Sequence, residues 1–119
     1  MEEFKFAVAI TTNDTIHDSI GSIFAIAVCR DKEICTISTY TPTSSSHEEI
    51  FAELKAQNIE ALLCKNVNYQ TLTYLEEQNI QAFRISEDIT AVAEAIEAKL
   101  NHKLPPIVKM FTCGGNCDY

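Results

Sequence analysis

The spacing of apolar residues changes at Pro42, and that change restricts the fold more than any other feature of the chain. Before it lie three runs rich in Phe, Val, Ile and Thr: Phe4–Thr12, Ile20–Arg30 and Glu33–Thr41. All three read as strands. The middle run is apolar on both faces. Phe24, Ile26 and Val28 fall on one side and Ile23, Ala25, Ala27 and Cys29 on the other, so it is expected at the centre of a sheet. Asp31-Lys32 between the second and third runs leaves room only for a tight hairpin turn.

After Pro42 the spacing becomes helical and alternates with short apolar stretches. Ser46, with Glu49 three residues on, forms a capping-box signature for a helix to about Asn58 that is expected to bury Ile50, Phe51, Leu54 and Ala52. Ile59–Cys64 reads as a short buried strand, Asn68–Asn79 as a second helix and Ile80–Ile85 as a fifth strand. Ser86 is expected to cap a third helix, Asp88–Leu100, with Ile89, Val92, Ala93 and Ile96 at helical spacing. Pro105-Pro106 is expected to end regular structure.

The order is therefore β-β-β-α-β-α-β-α. Hairpins demand antiparallel neighbours and crossovers demand parallel ones. The simplest result is an α/β fold: a mixed five-stranded sheet of order 3-2-1-4-5, strand two antiparallel, with three helices. A chain of 119 residues that is 46% hydrophobic has enough apolar material for one core. The expected division is an α/β domain over residues 1–101 and a cysteine-containing tail over 102–119.

Two long stretches, KFAVAITTNDTIHDSIGSIFAIAVCRD and IEALLCKNVNYQTLTYLEEQNIQAFRISEDITAVAEAIEAKL, resemble the dinitrogenase iron-molybdenum cofactor biosynthesis family. Its members include NifX- and NafY-like domains and the C-terminal domain of NifB. The resemblance spans roughly Phe4 to Leu100. It implies an RNase H-like fold and a role in nitrogen-fixation cofactor assembly. The family's Ser-x-His-Phe-Gly-Arg stretch corresponds to His17-Asp18-Ser19-Ile20-Gly21-Ser22. Gly21 matches, Ser19 and Ser22 stand at the histidine and arginine positions, and His17 lies two residues earlier.

Ligands of open α/β sheets collect beyond the carboxyl ends of the parallel strands. Here that rim gathers the loop after the first strand, with His17, and the loop after the fourth, with Cys64 and Asn66. A thiol and an imidazole suit iron–sulfur clusters, zinc or copper. Cys64 also reads as a small buried hydrophobe. His47 and His102 read as surface residues. Cys29 and Cys35 flank the hairpin. With Arg30 opposite Glu33, Cys29 faces Ile34 and Val28 faces Cys35, so the two thiols fall on opposite faces and read as structural.

The final residues, CGGNCDY, place two of the chain's three glycines between Cys113 and Cys117. Two thiolates around a pliable backbone suit a metal, and the further ligands would come from Cys64, His17, His102 or a second subunit. The expected cargo is an iron–sulfur or iron–molybdenum-type cluster, with zinc as the alternative. The expected partners are that cluster and a cluster-donor or cluster-acceptor protein. Two competing readings remain: a thiol redox protein cycling Cys113 and Cys117, and a protein-interaction module. No catalytic role is expected. FKFAVAITT lacks the carboxylate that a two-metal nuclease needs on its first strand. The net charge of −8 disfavours nucleic acid. No apolar run spans a bilayer, and MEEFKF lacks a basic signal-peptide start, so a cytoplasmic protein with no membrane partner is expected.

Overall fold

A computed structural model describes residues 3–13, 15–18, 20–21, 23–31 and 33–107. The strands are β1 (Glu3–Ile10), β2 (Ile23–Arg30), β3 (Glu33–Tyr40), β4 (Ala61–Cys64), β5 (Gln81–Arg84) and β6 (Pro106–Ile107). The helices are α1 (His47–Ala56), α2 (Tyr69–Glu77) and α3 (Val92–Leu100). One open sheet runs in the order β3-β2-β1-β4-β5-β6. β1, β4 and β5 are parallel neighbours, while β2, β3 and β6 pair antiparallel with theirs.

Alternation along each strand feeds two cores. Phe6, Val8 and Ile10 of β1, with Ala25, Ala27 and Cys29 of β2 and Leu63 of β4, meet Ala95 and Ile96 of α3 on one face. Ala7, Ala9, Phe24, Leu62 and Cys64 meet Ile50, Phe51 and Leu54 of α1 and Leu75 of α2 on the other. A sheet covered on both faces needs apolar residues at both parities, which is why β1 and β2 lack polar alternation.

Local signals hold where the elements are local. Ser46 caps α1, with Glu49 N donating to its Oγ at 3.3 Å. Asn68 caps α2, accepting from Thr71 N at 2.8 Å. Asn58, Asn79 and His102 follow the three helices with φ of 67°, 57° and 58°, the left-handed residue that ends many helices.

Three expectations are corrected. Among the described residues the sheet has six strands, not five. Pro105-Pro106 does not end regular structure: Pro106 pairs with Phe83 and Ile107 with Ala82. A proline is tolerated there because β6 is the edge strand of the sheet among the described residues. The segment is pinned by Leu104, buried at 5% exposure in the α3-side core, and by Arg84 N donating to Pro105 O at 2.9 Å. Second, α3 starts at Val92, with Ala91 as a cap that makes no side-chain bond, and Ser86 does not cap it. Instead Ile89 N donates to Ser86 O at 3.1 Å, a turn that tucks Ile89 into the core before the helix begins. Third, the β2–β3 register shifts between Val28 and Cys29. Cys29 opposes Ile34 as expected, but Val28 opposes Thr36, leaving Cys35 as an extra residue in a β-bulge.

Candidate functional site

The parallel strands β1, β4 and β5 end on one rim. Past Ile10 the chain turns back on itself: Thr11 N donates to Thr15 O (2.8 Å), the Thr11 and Thr15 hydroxyls meet at 2.8 Å, and Ile16 bridges back to Ile10. His17 N then donates to Ala9 O at 2.9 Å. This fold-back brings His17, half-buried, to the strand ends as expected.

The imidazole lies directly on Gly21. A Cβ at that position would sit 3.1 Å from both His17 Cδ2 and Nε2, tighter than nearly all real contacts. Gly21 therefore serves close approach of a ring. With Ile10, Thr11, Thr12 and Ile23, the pair lines a shallow hollow of about 300 Å³.

Asn66, exposed in the loop after β4, donates from Nδ2 to Asp18 O at 2.8 Å, tying that loop to the one carrying His17. Yet Asn66 lines a different, smaller hollow, with Ile20, His47, Val67, Asn68 and Thr71. His17 and Asn66 thus share a rim but not a cavity. His47 joins Asn66 there, although a histidine in the first turn of a helix carries no sequence signal for a site.

Cys64 ends β4 as expected but points into the core beneath α1 and α2, fully buried. Burial pushes its thiol up to about 12, against a smaller opposing pull from Arg84 across the β4–β5 rung. A thiol so placed is protonated and packed, the surroundings of a structural cysteine rather than of a ready ligand. Next to it Lys65 is also buried, at 9% exposure; a lysine after an apolar strand reads as loop surface, and nothing in the sequence marks it. Cys113 and Cys117 lie outside the described residues. Among the described residues, no group of three or more His, Cys, Asp or Glu side chains is placed to hold a metal ion, and no helix is long and apolar enough to cross a membrane.

A larger cleft, about 430 Å³, opens at the opposite end of the sheet between β1, β4, β5 and the end of α3. Phe4 and Phe6 stack at 6.3 Å, and Lys99 Nζ sits 4.5 Å from the Phe83 ring centroid and 5.0 Å from that of Phe6. The cleft's walls come from four separate segments, β1, β4, β5 and the end of α3, so no local sequence pattern marks it.

No protein-family model matches the chain, and no curated protein matches it. Solved structures do. A protein provisionally named a dinitrogenase, from Methanocaldococcus jannaschii, superposes with a TM-score of 0.72 at 19% identity, over 90% of this chain and 97% of that one. This chain shares its fold. A provisionally named NifB protein from Thermotoga superposes at 0.68 and 19% identity, over 94% and 99% of the two chains. The apo form of the orange protein from Desulfovibrio gigas does so at 0.70 and 14% identity, over 87% and 92%. The arrangement expected from the family resemblance is thus found in structures named for that chemistry, at identities that carry the fold.

Proposed function

We propose that this chain is a non-catalytic carrier or assembly protein. Its cargo is an iron–sulfur or iron–molybdenum-type cluster, received from a donor protein and passed to an acceptor in the cytoplasm during nitrogen-fixation cofactor synthesis. One observation carries the reading: nearly the whole chain superposes on solved structures named as a dinitrogenase and as NifB. Function lives in sites rather than in folds, so the cargo needs ligands of its own on this chain. On this reading the sheet is an RNase H-like platform and the rim its docking end.

Among the described residues the rim supplies His17 and Asn66 but no group of three metal-ligating side chains, so the proposal assigns the cargo's anchoring to the Cys113 and Cys117 thiolates. Two thiolates and an imidazole are donors that iron–sulfur cargo accepts. β6 runs antiparallel to β5 and so points away from the rim as far as Ile107. Cys113 is six residues further on, a reach of about 20 Å when extended. A shared site with His17 therefore requires the chain to turn back.

The test is anaerobic purification with metal analysis and an absorption spectrum. It compares the wild type, a chain ending at Ile107, Cys113→Ser/Cys117→Ser and His17→Ala. Stoichiometric iron or molybdenum lost with the two cysteines supports the proposal; loss in His17→Ala as well places the cargo at the rim. Zinc alone changes the cargo to a single ion. A metal-free protein that takes up no supplied cluster overturns the carrier reading. In that case a reversible Cys113–Cys117 disulfide points to a thiol redox protein, and its absence to an interaction module.

A further inference from the structure

The bulge in the β2–β3 hairpin changes what its two cysteines can do. In an unbroken ladder counted from the Cys29–Ile34 rung, Cys35 would oppose Val28 and project away from Cys29. Here Val28 opposes Thr36 instead, and Cys35 is the unpaired residue between the rungs of Cys29 and Val28. Directly opposed residues of an antiparallel pair hold their Cβ atoms about 4.5–5.5 Å apart. A bulge sets two residues of one strand against one of the other, so Cys35 stands directly beside the Ile34 that opposes Cys29; a disulfide between Cys29 and Cys35 needs a Cα separation of roughly 4.4–6.8 Å. Strict alternation no longer keeps the thiols on opposite faces.

The two sulfurs differ in a complementary way. Both are free; Cys29 is fully buried in the α3-side core, and Cys35 is exposed on the outermost strand. Burial first, and then the charge of Cys35, raise the Cys29 thiol above its ordinary value, so the two groups feel one another. Cys29 and Cys35 are joined to no metal-ligating cluster among the described residues.

The geometry points to Cys29 and Cys35 as an intramolecular thiol–disulfide pair, an oxidation site on the edge hairpin separate from the cysteines at the end of the chain. The oxidant is a low-molecular-weight disulfide. The exposed Cys35 thiolate attacks it, forming a mixed disulfide and releasing one small thiolate. Cys29 then gives its proton to solvent and attacks the Cys35 sulfur. The bond to the second small thiol breaks, and that thiol leaves. Two protein thiols are oxidised and one small disulfide is reduced to two thiols. Because Cys29 is buried, the second step is the slow one and accelerates as the pH rises.

The chain itself makes the mapping simple, since Arg30 and Lys32 lie between the two cysteines. Trypsin separates Cys29 and Cys35 into different peptides that only a disulfide holds together. The full-length protein is equilibrated with oxidised and reduced glutathione, alkylated under denaturing conditions, digested and analysed by mass spectrometry. The expected result is a Cys29–Cys35 linked pair that persists in Cys113→Ser/Cys117→Ser and vanishes on addition of a dithiol reductant. Cys35→Ser, a surface change, should abolish the pair and leave the urea midpoint of the reduced protein unchanged. The proposal is overturned if Cys29 is recovered fully alkylated under oxidising conditions. It is equally overturned if Cys35 carries only glutathione or is linked to Cys113, Cys117 or a second chain.

Discussion

At Cys64, position along the strand and direction of the side chain point to different roles. Its place at the end of a parallel strand is where ligands gather, yet parity turns its side chain into the core beneath α1 and α2. Cys64→Ser puts a hydroxyl where no water reaches and should cost about 1–3 kcal/mol, measured by urea denaturation. Cys64→Ala should leave the metal content of anaerobically purified protein unchanged; its loss would return the thiol to the ligand set. Gly21 is the reverse case, a residue whose role appears only beside another. Gly21→Ala obliges the His17 ring to give by a few tenths of an ångström. The expected outcome is a changed His17 imidazole NMR signal with less than about 1 kcal/mol lost, the cost of a small side-chain readjustment.

At the scale of elements, capping residues were readable and packing-driven boundaries were not. Ser46 marks α1 because its hydrogen bond is to a residue three positions away. Ser86 looks equivalent, but burial of Ile89 claims the turn that follows it and delays α3 to Val92. The link from β3 to α1 depends on Glu53. Its carboxylate accepts from Tyr40 Oη (2.8 Å), Thr43 N (3.0 Å), Thr43 Oγ1 (3.2 Å) and Ser44 N (2.9 Å). Hydrogen bonds from Ser44 foremost, then Thr43 and Tyr40, lower its pKa from 4.5 to about 2. A carboxyl held below its unfolded value stabilises the fold fully above that value and loses its contribution as pH falls toward the folded one. Wild type should therefore lose melting temperature between about pH 4.5 and pH 2 more steeply than Glu53→Gln. Parallel curves for the two proteins would show that the loop clamp does not stabilise the fold through its charge.

For the molecule as a whole, the segment after α3 is the informative part. Leu104 closes the α3-side core, and β6 then extends the sheet beyond β5. Leu104→Ala should cost about 2–5 kcal/mol by urea denaturation, as removal of a buried leucine side chain does elsewhere. A change near zero would mean that the sheet stands without this edge. The three-strand start, the helix–strand alternation and the order β3-β2-β1-β4-β5 were readable from the chain, because hydrophobic period and loop length are local quantities that topology rules convert into neighbours. Not readable were β6, the bulge at Cys35, the ring of His17 over Gly21, the pairing of His47 with Asn66 in one hollow and the aromatic cleft around Lys99. Each depends on residues distant in sequence meeting at a separation of a few ångströms. Periodicity says which face a residue takes; only the packed chain says what stands opposite it.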